Sequence, residues 1–156
     1  MSMGFAVSGR TSAATAATAG LVIAQIWNPH PTARTRVSEL HLSNSSGVTV
    51  GNAVLRRSTA KGATPAVSIT PDIDNNLDRT VAPVSGLLLE LGATFATAPT
   101  LDTSDLYRWT VTAAVGAGVV WTFPAGLVIP AGTGIVIANS AAVAFPISDI
   151  TVVWDE

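Results

Sequence analysis

The sequence predicts an all-β protein: a single-domain, jelly-roll-like β-sandwich with an extended N-terminal arm. Its 156 residues suit one domain. Runs rich in β-branched and aromatic residues recur at intervals of about 8–12 residues, with Gly or Pro between them, as in two-sheet folds. No stretch of a dozen residues shows the helical period in its apolar side chains.

Residues 1–20, "MSMGFAVSGRTSAATAATAG", are small and polar and follow no apolar period. Such a segment has little apolar surface to bury, so we expect an arm that becomes ordered only against another surface. Phe5 and Val7 are its candidate assembly contacts with a neighbouring subunit or a shell. The β-sandwich domain then covers residues 21–156.

Eight short runs in this domain have the composition and spacing of strands. Apolar and polar residues alternate most clearly around Trp109 and from Ile150 to Trp154, which is typical of half-buried strands. The region 62–105 is loop-like and is expected to leave the sandwich around "TPDIDNNLDRTVAP". The predicted strands are 21–27, 36–44, 50–57, 106–113, 119–123, 127–129, 134–139 and 149–154.

Charged residues make up only 12% of the chain, where about 25% is usual for soluble domains. A surface with so little charge tends to associate with other protein. We therefore expect an assembly component that forms a homo-oligomer, with a trimer favoured. Basic residues do not cluster beyond the pair Arg56-Arg57, which argues against direct binding of nucleic acid.

The most apolar early stretch, residues 13–27, contains Thr and Gln and is too short to cross a membrane. It is also a poor secretory signal, since only Arg10 precedes it and no continuous leucine-rich run follows. We expect a mature, unexported chain with no membrane partner.

No motif predicts a cofactor or a metal site. There are no cysteines, so thiol chemistry and Cys-based zinc sites are excluded. "DIDNN" resembles the start of a calcium loop, but Leu77 replaces the glycine of the sharp turn and Pro83 the bidentate glutamate. An Asx-rich turn is favoured, and whether residues 72–78 hold a metal ion stays open. The glycine pairs at 116–118 and 132–134 lack a phosphate-binding lysine and a following helix, which indicates turns.

Catalytic residues are not predicted either. His30 stands between two prolines, and His41 shares a strand face with Glu39. A Glu-x-His pair can orient a general base, but no serine can be identified as its nucleophile and neither histidine has metal-ligand spacing. Structural pairing is favoured, and the chain is predicted not to be an enzyme.

Four tryptophans, with Tyr107, could form a carbohydrate-stacking platform or pack in a core or a subunit interface. Three of them lie within β-patterned runs, which favours packing. Trp27 and Trp121 are, with Phe5 and Val7, the candidate assembly contacts. The four tryptophans are Trp27, Trp109, Trp121 and Trp154.

Several segments resemble a group of small virion proteins encoded by tailed bacteriophages and prophages: "AQIWNP", "TRVSELHLSN", "AVLRRSTAKG", "YRWTVTAAVGAGVVWTFPAGLVIPAGTGIVIAN" and "DITVVWDE". The resemblance covers residues 24–156. It implies a β-sandwich structural protein of the virion, assembled in the bacterial cytoplasm, whose partners are the major capsid protein or other virion proteins. A decoration (cement) protein that stabilises the head is the leading expectation. The alternative is a tail, fibre or baseplate component that contacts the host surface or glycans. The resemblance transfers no functional residue.

Overall fold

Most of the described residues lie in β-strands in a computed structural model that describes residues 4–47, 49–71, 77 and 86–156, apart from the side chains of 93 and 94. The described residues form ten strands and contain no helix. The predicted all-β class is confirmed. The strands are β1 Gly4–Arg10, β2 Val22–Asn28, β3 Thr35–Asn44, β4 Gly51–Ala60, β5 Ala63–Ile69, β6 Leu88–Thr97, β7 Thr100–Val111, β8 Gly118–Ile129, β9 Thr133–Asn139 and β10 Ser148–Asp155.

The strands form two antiparallel sheets. Sheet A has the strand order β1-β10-β3-β8, and sheet B has the order β5-β6-β2-β9-β4-β7. Both sheets contribute to one hydrophobic core, with Leu40 and Trp154 from sheet A and Ile26 and Leu55 from sheet B. A jelly roll is built from eight strands, so sheets of four and six strands do not confirm the predicted jelly-roll arrangement.

The C-terminal strand confirms the predicted alternation. In β10, Ile150, Val152 and Trp154 are completely buried, whereas the residues between them are partly exposed. The strand lies in the interior of sheet A, between β1 and β3. Its buried face is therefore part of the core, and its other face belongs to the outer surface of sheet A.

The extended N-terminal arm is not confirmed. Gly4–Arg10 is paired along its whole length with β10 of the same chain. Phe5 and Val7 are 1% and 4% exposed, and the Phe5 ring stacks on Trp154 with 5.5 Å between centroids. Both predicted assembly contacts therefore lie in the chain's own core. The pairing partner is more than a hundred residues away, so the local composition could not reveal it.

Residues beyond β1 are also attached to the body of the protein. The Thr11 hydroxyl accepts a hydrogen bond from the Ser148 N–H at 3.0 Å, and the Thr15 hydroxyl accepts one from the Phe145 N–H at 2.9 Å. Both threonines are buried. These bonds fix the path of the chain between β1 and β2, where the composition predicted an arm.

Sheet B curls strongly. Three strands lie between β4 and β5 in the sheet, yet only Lys61 and Gly62 connect them. Three Cα–Cα steps reach at most about 11 Å, whereas four strand spacings in a flat sheet amount to about 19 Å. The same mismatch holds for β6 and β7, which Ala98 and Pro99 connect. The sheet therefore bends until β5 and the end of β6 approach the far side of β4.

Residues 62–105 were predicted to be loop-like, but they contain the strands β5 and β6. The prediction is therefore wrong for these two segments. Pro65 lies in β5, which is an edge strand, and an edge strand can lose one ladder N–H at little cost. Most of "TPDIDNNLDRTVAP" lies outside the described residues, so the predicted excursion around it stays a prediction.

A second hydrophobic cluster forms where sheet B curls over its own outer face. Val22, Val54 and Val136 from adjacent strands are buried there, and Phe95 and Leu101 pack against them. These two residues come from the end of β6 and the start of β7. The short connection between β6 and β7 therefore places apolar side chains over a face of sheet B that would otherwise be exposed to solvent.

Polar groups are buried beside this second cluster. The Gln25 side chain is fully buried, accepts a hydrogen bond from the Gly62 N–H at 2.9 Å and donates one to Ser58 Oγ at 3.2 Å. Glu90 is 1% exposed and forms an ion pair of 2.8 Å with Lys61 Nζ. Because unpaired buried polar groups are costly, these contacts favour one position of the β4–β5 connection over others.

The two segments predicted as strands at 119–123 and 127–129 belong to one strand, β8. Pro124 and Gly126 lie within it, and Gly126 has a φ of 71°. β8 is an edge strand, where a missing N–H and a local irregularity are tolerated. The pairing of β3 with β8 shifts register between Val37 and Glu39, opposite this stretch.

We predict that Phe5→Ala lowers the free energy of unfolding by about 3–5 kcal/mol, because it removes a large buried aromatic side chain. Chemical denaturation followed by circular dichroism measures the loss. Ser8→Ala, on the exposed face of the same strand, is the matched control and should change stability by less than about 0.5 kcal/mol. Equal stability of the wild type and Phe5→Ala would show that β1 is not part of the core.

Candidate functional site

Four connections between strands meet at one end of the molecule. Ser148, the first residue of β10, faces Asn44, the last residue of β3, and Gly51 at the start of β4 faces Val111 at the end of β7. Strands therefore end and begin together on this side of both sheets. We call this surface the loop end, and its connections are residues 11–21, 45–50, 112–117 and 140–147.

The loop end has no charged side chain. None of its four connections contains Asp, Glu, Lys, Arg or His, although the chain has eight basic and ten acidic residues. By contrast, the connection between β2 and β3 contains His30 and Arg34, and the one between β4 and β5 contains Lys61. Charge is thus distributed unevenly along the long axis of the strands.

Exposed apolar side chains replace charges at this end. Val115 is 70% exposed at the β7–β8 turn, Val50 is 46% exposed before β4, and Val143 is 43% exposed between β9 and β10. The sequence Ala-Ala-Val occurs in two of these connections, at 113–115 and 141–143. Grouped apolar residues without charge are typical of surfaces that bind other protein.

Asn44 joins two connections of the loop end. Its side chain is fully buried, and its Nδ2 donates to the Thr112 carbonyl at 2.9 Å and to the Thr49 carbonyl at 3.4 Å. Its Oδ1 accepts hydrogen bonds from the N–H groups of Ser46 and Gly47 at 3.0 and 2.9 Å. One carboxamide therefore holds both ends of the β3–β4 connection and the β7–β8 turn.

Asn139 has the same role on the other side. It is fully buried, and its Nδ2 donates to the Val143 carbonyl at 2.6 Å and to the Thr18 carbonyl at 3.4 Å. Its Oδ1 accepts a hydrogen bond from the Ala141 N–H at 3.3 Å. The two asparagines thus attach all four connections to fixed positions, so the loop end is a shaped surface.

Two aromatic contacts join the long edge strands β7 and β8. The ring centroids of Trp109 and Trp121 are 3.8 Å apart, and those of Tyr107 and Phe123 are 5.7 Å apart. Trp109 and Trp121 are partly buried against the core, which confirms that they pack there. Tyr107 is 44% exposed. These four rings lie between β7 and β8 at the side of the molecule, and Tyr107 is partly accessible to solvent.

The remaining predicted tryptophans lie inside the molecule. Trp154 is completely buried and belongs to the core, and Trp27 is 8% exposed. The roles of Trp27 and Trp121 as assembly contacts stay predictions. Trp109 Nε1 is a buried donor with no acceptor in the described part of the chain.

His41 and Glu39 form the predicted pair on the outer face of sheet A, with 2.9 Å between Nε2 and Oε2. His41 lines a shallow depression of about 360 Å³. Ser43, Asp149 and Thr151 also line it; the Thr151 hydroxyl contacts that of Ser8, and Asp149 pairs with Arg10. The depression therefore presents the Glu39–His41 pair at the surface of sheet A.

Charged side chains on the sheet faces form ion pairs. The hydrogen bond to Asp149, together with its negative charge, raises the pKa of Arg10. The hydrogen bond from Arg56 lowers the pKa of Asp105, and Arg108 acts in the same direction. Because the side chains of Arg10 and Asp149 are 65% and 41% exposed, their pair contributes little to stability, whereas Asp105 is 15% exposed beside Arg56.

The described residues contain no group of three or more His, Asp or Glu side chains that could hold a metal ion. Apart from Leu77, residues 72–78 lie outside the described part of the chain, so the question of a metal ion there stays open. No helix among the described residues is long and apolar enough to span a membrane.

The sequence analysis missed the loop end as a single surface. Its signal was present as four uncharged runs, but these are separated by up to about sixty residues in the chain. They could be recognised together only once the strand pairing was known. Two of the four proposed contacts, Phe5 and Val7, instead face the core.

No protein-family model, curated protein or solved structure matches this chain. The resemblance of its segments to phage virion proteins therefore stays a prediction.

We predict that Asn44→Asp destabilises the protein by about 2–3 kcal/mol. The new carboxylate oxygen would face the Thr112 carbonyl in place of the donating Nδ2, and a buried charge would lack its hydrogen bond. Thermal unfolding and limited proteolysis within 112–117 measure the effect. Asn52→Ala, which removes only an exposed side-chain bond to Thr110, should leave cleavage within 112–117 unchanged. Intact stability in Asn44→Asp would contradict the assigned role of Asn44.

Proposed function

We propose that this chain is a non-enzymatic structural protein of a tailed-bacteriophage particle, and that it acts as a capsid decoration (cement) protein that stabilises the head. The resemblance of its segments to virion proteins supports its being a component of a phage particle. The low fraction of charged residues supports an assembly role. Its partners are then the major capsid protein or other virion proteins. It would be assembled into the particle in the bacterial cytoplasm.

The observation that carries this proposal is the uncharged loop end. Taking a charged group out of water is costly, whereas Ala, Val, Ser and Thr lose little when another protein covers them. The loop end has these residues at its exposed positions and is held in shape by Asn44 and Asn139. A preformed surface of this kind loses little conformational entropy when it binds.

A tail, fibre or baseplate component is the second candidate function. The half-exposed Tyr107 ring, which contacts Phe123, favours it because sugars stack on accessible aromatic rings. The neighbouring Trp109 and Trp121 are covered to a larger extent. A single accessible ring provides less support for glycan binding than the loop end provides for protein binding.

Electron microscopy of particles tests the proposal. A small tag placed after Glu156 lies at the opposite end of sheet A from the loop end, because β10 starts at the loop end. Label over the whole head, and higher thermal stability of particles lacking the protein after it is added back, would support head decoration. Particles that already carry the protein are the control and should gain no stability. Label at the tail alone would support the second candidate, and no binding to any particle would overturn both.

A further inference from the structure

We propose that the loop end is the surface through which copies of this chain bind one another. The inference rests on the proposed assembly function and names the occupant of the surface: a second copy of the chain. Val50, Val115 and Val143 would be its central apolar contacts. The four connections of the loop end contribute the remainder.

The absence of charge in these four connections favours a second copy. Copies related by a rotation axis that passes near a surface bring that surface into contact with itself. A surface with a net charge would then meet a like charge, which costs free energy. Residues 11–21, 45–50, 112–117 and 140–147 contain no ionisable side chain. The loop end can therefore face itself without repulsion and without desolvating an ion of its own.

Its hydrogen-bonding groups are also compatible with self-association. The polar side chains of the four connections are all Ser and Thr, such as Thr112 and Ser140. A hydroxyl group both donates and accepts, so the same group on two copies can form a bond in either direction. Alanines flank Val115 and Val143 in both Ala-Ala-Val segments. Their small side chains leave space for a valine of the other copy.

The size of the loop end matches a stable interface. About 25 of its described residues are at least partly exposed, similar to the 20–30 residues that each partner contributes to a standard protein–protein interface. A lipid surface is a weaker match, because interfacial membrane contacts use exposed Trp, Tyr, Lys and Arg, and the four connections contain none of these.

The two sheet faces fit a second copy less well. On the outer face of sheet A, Glu39 pairs with His41 in the middle of β3 and Arg10 pairs with Asp149 close to the loop end, and on sheet B, Arg56 pairs with Asp105. These groups would have to be desolvated if another copy covered them. The four connections contain no such group, and Arg10 and Asp149 lie at their border on the outer face of sheet A, so the loop end is the preferred contact between copies.

The mass of the protein in solution, measured by sedimentation across a range of concentrations, tests the inference. We expect an oligomer, and we expect Val115→Asp and Val143→Asp each to raise its dissociation constant by about 100-fold or more, because a carboxylate would be buried without a partner. Val120→Asp is the matched control. Val120 is 56% exposed on the outer face of sheet A, so this variant should associate like the wild type.

Circular dichroism and thermal unfolding establish that each variant is folded. Because Val115 and Val143 are exposed loop residues, we expect their variants to retain the β-sheet spectrum. We also expect the association to be nearly independent of salt between low and moderate ionic strength, since it involves no charges.

A monomeric wild type at all concentrations, or an oligomer that Val115→Asp and Val143→Asp leave intact, would overturn the inference. Binding of the wild type to neutral lipid vesicles with no self-association would overturn it in favour of a membrane contact. The proposed function has a separate readout, which is binding to particles. A monomer that binds particles overturns only the inference, whereas an oligomer that the variants dissociate but that binds no particle overturns only the proposed function.

Discussion

Two buried carboxamides hold the part of the molecule from which its function is inferred. Asn44 and Asn139 lie at the ends of β3 and β9 and bind the backbones of the connections that follow or face them. Buried amide groups require all of these partners, so the hydrogen bonds permit few other loop positions. An end composed mainly of Ala, Val, Ser, Thr and Gly would otherwise have few contacts that fix its conformation. Its shape and lack of charge together make it suitable for binding.

The rest of the fold holds these two asparagines in place. β10 lies between β1 and β3, so the stacked pair Phe5 and Trp154 connects the N-terminal strand to the interior of sheet A. Gly9, also in β1, lies against Leu91 and Ile69 of sheet B. A Cβ there would lie 2.4 Å from Leu91 Cδ1 and 2.6 Å from Ile69 Cδ1, so a larger residue would require the ends of these two side chains to move. Sheet B in turn curls over Val54 and Val136 and buries a second cluster.

The sequence was sufficient for features that depend on neighbouring residues. Alternation in β10 and the runs that became β2, β3, β4, β7 and β9 could be recognised because side-chain periodicity is a local property. β1 could not be recognised, because the role of Phe5 and Val7 in the core depends on their position beside Trp154, which is far away in the chain. β5 and β6 were missed because their pairing depends on the curl of sheet B, which arises from two very short connections.

In the candidate site, too, features that depend on neighbouring residues could be predicted, and those that depend on residues far apart in the chain could not. The low charge of the whole chain predicted an assembly role, but the place where charge is lacking depends on which connections share an end. His41 and Glu39 were correctly paired because they are two residues apart on one strand. The contacts of Asn44 with Thr112 join residues that are far apart in the chain, and no local pattern indicates them.

Hydrogen exchange of the wild-type protein at low and high concentration measures most directly whether the loop end is a binding surface. We expect the backbone amides of 112–117 and 140–147 to exchange more slowly at high concentration, because a second copy covers them. Those of 29–34 and 130–132, at the opposite end of the strands, should exchange equally fast at both concentrations. Concentration-dependent protection confined to the sheet edges or to the opposite end would contradict the assignment of the loop end.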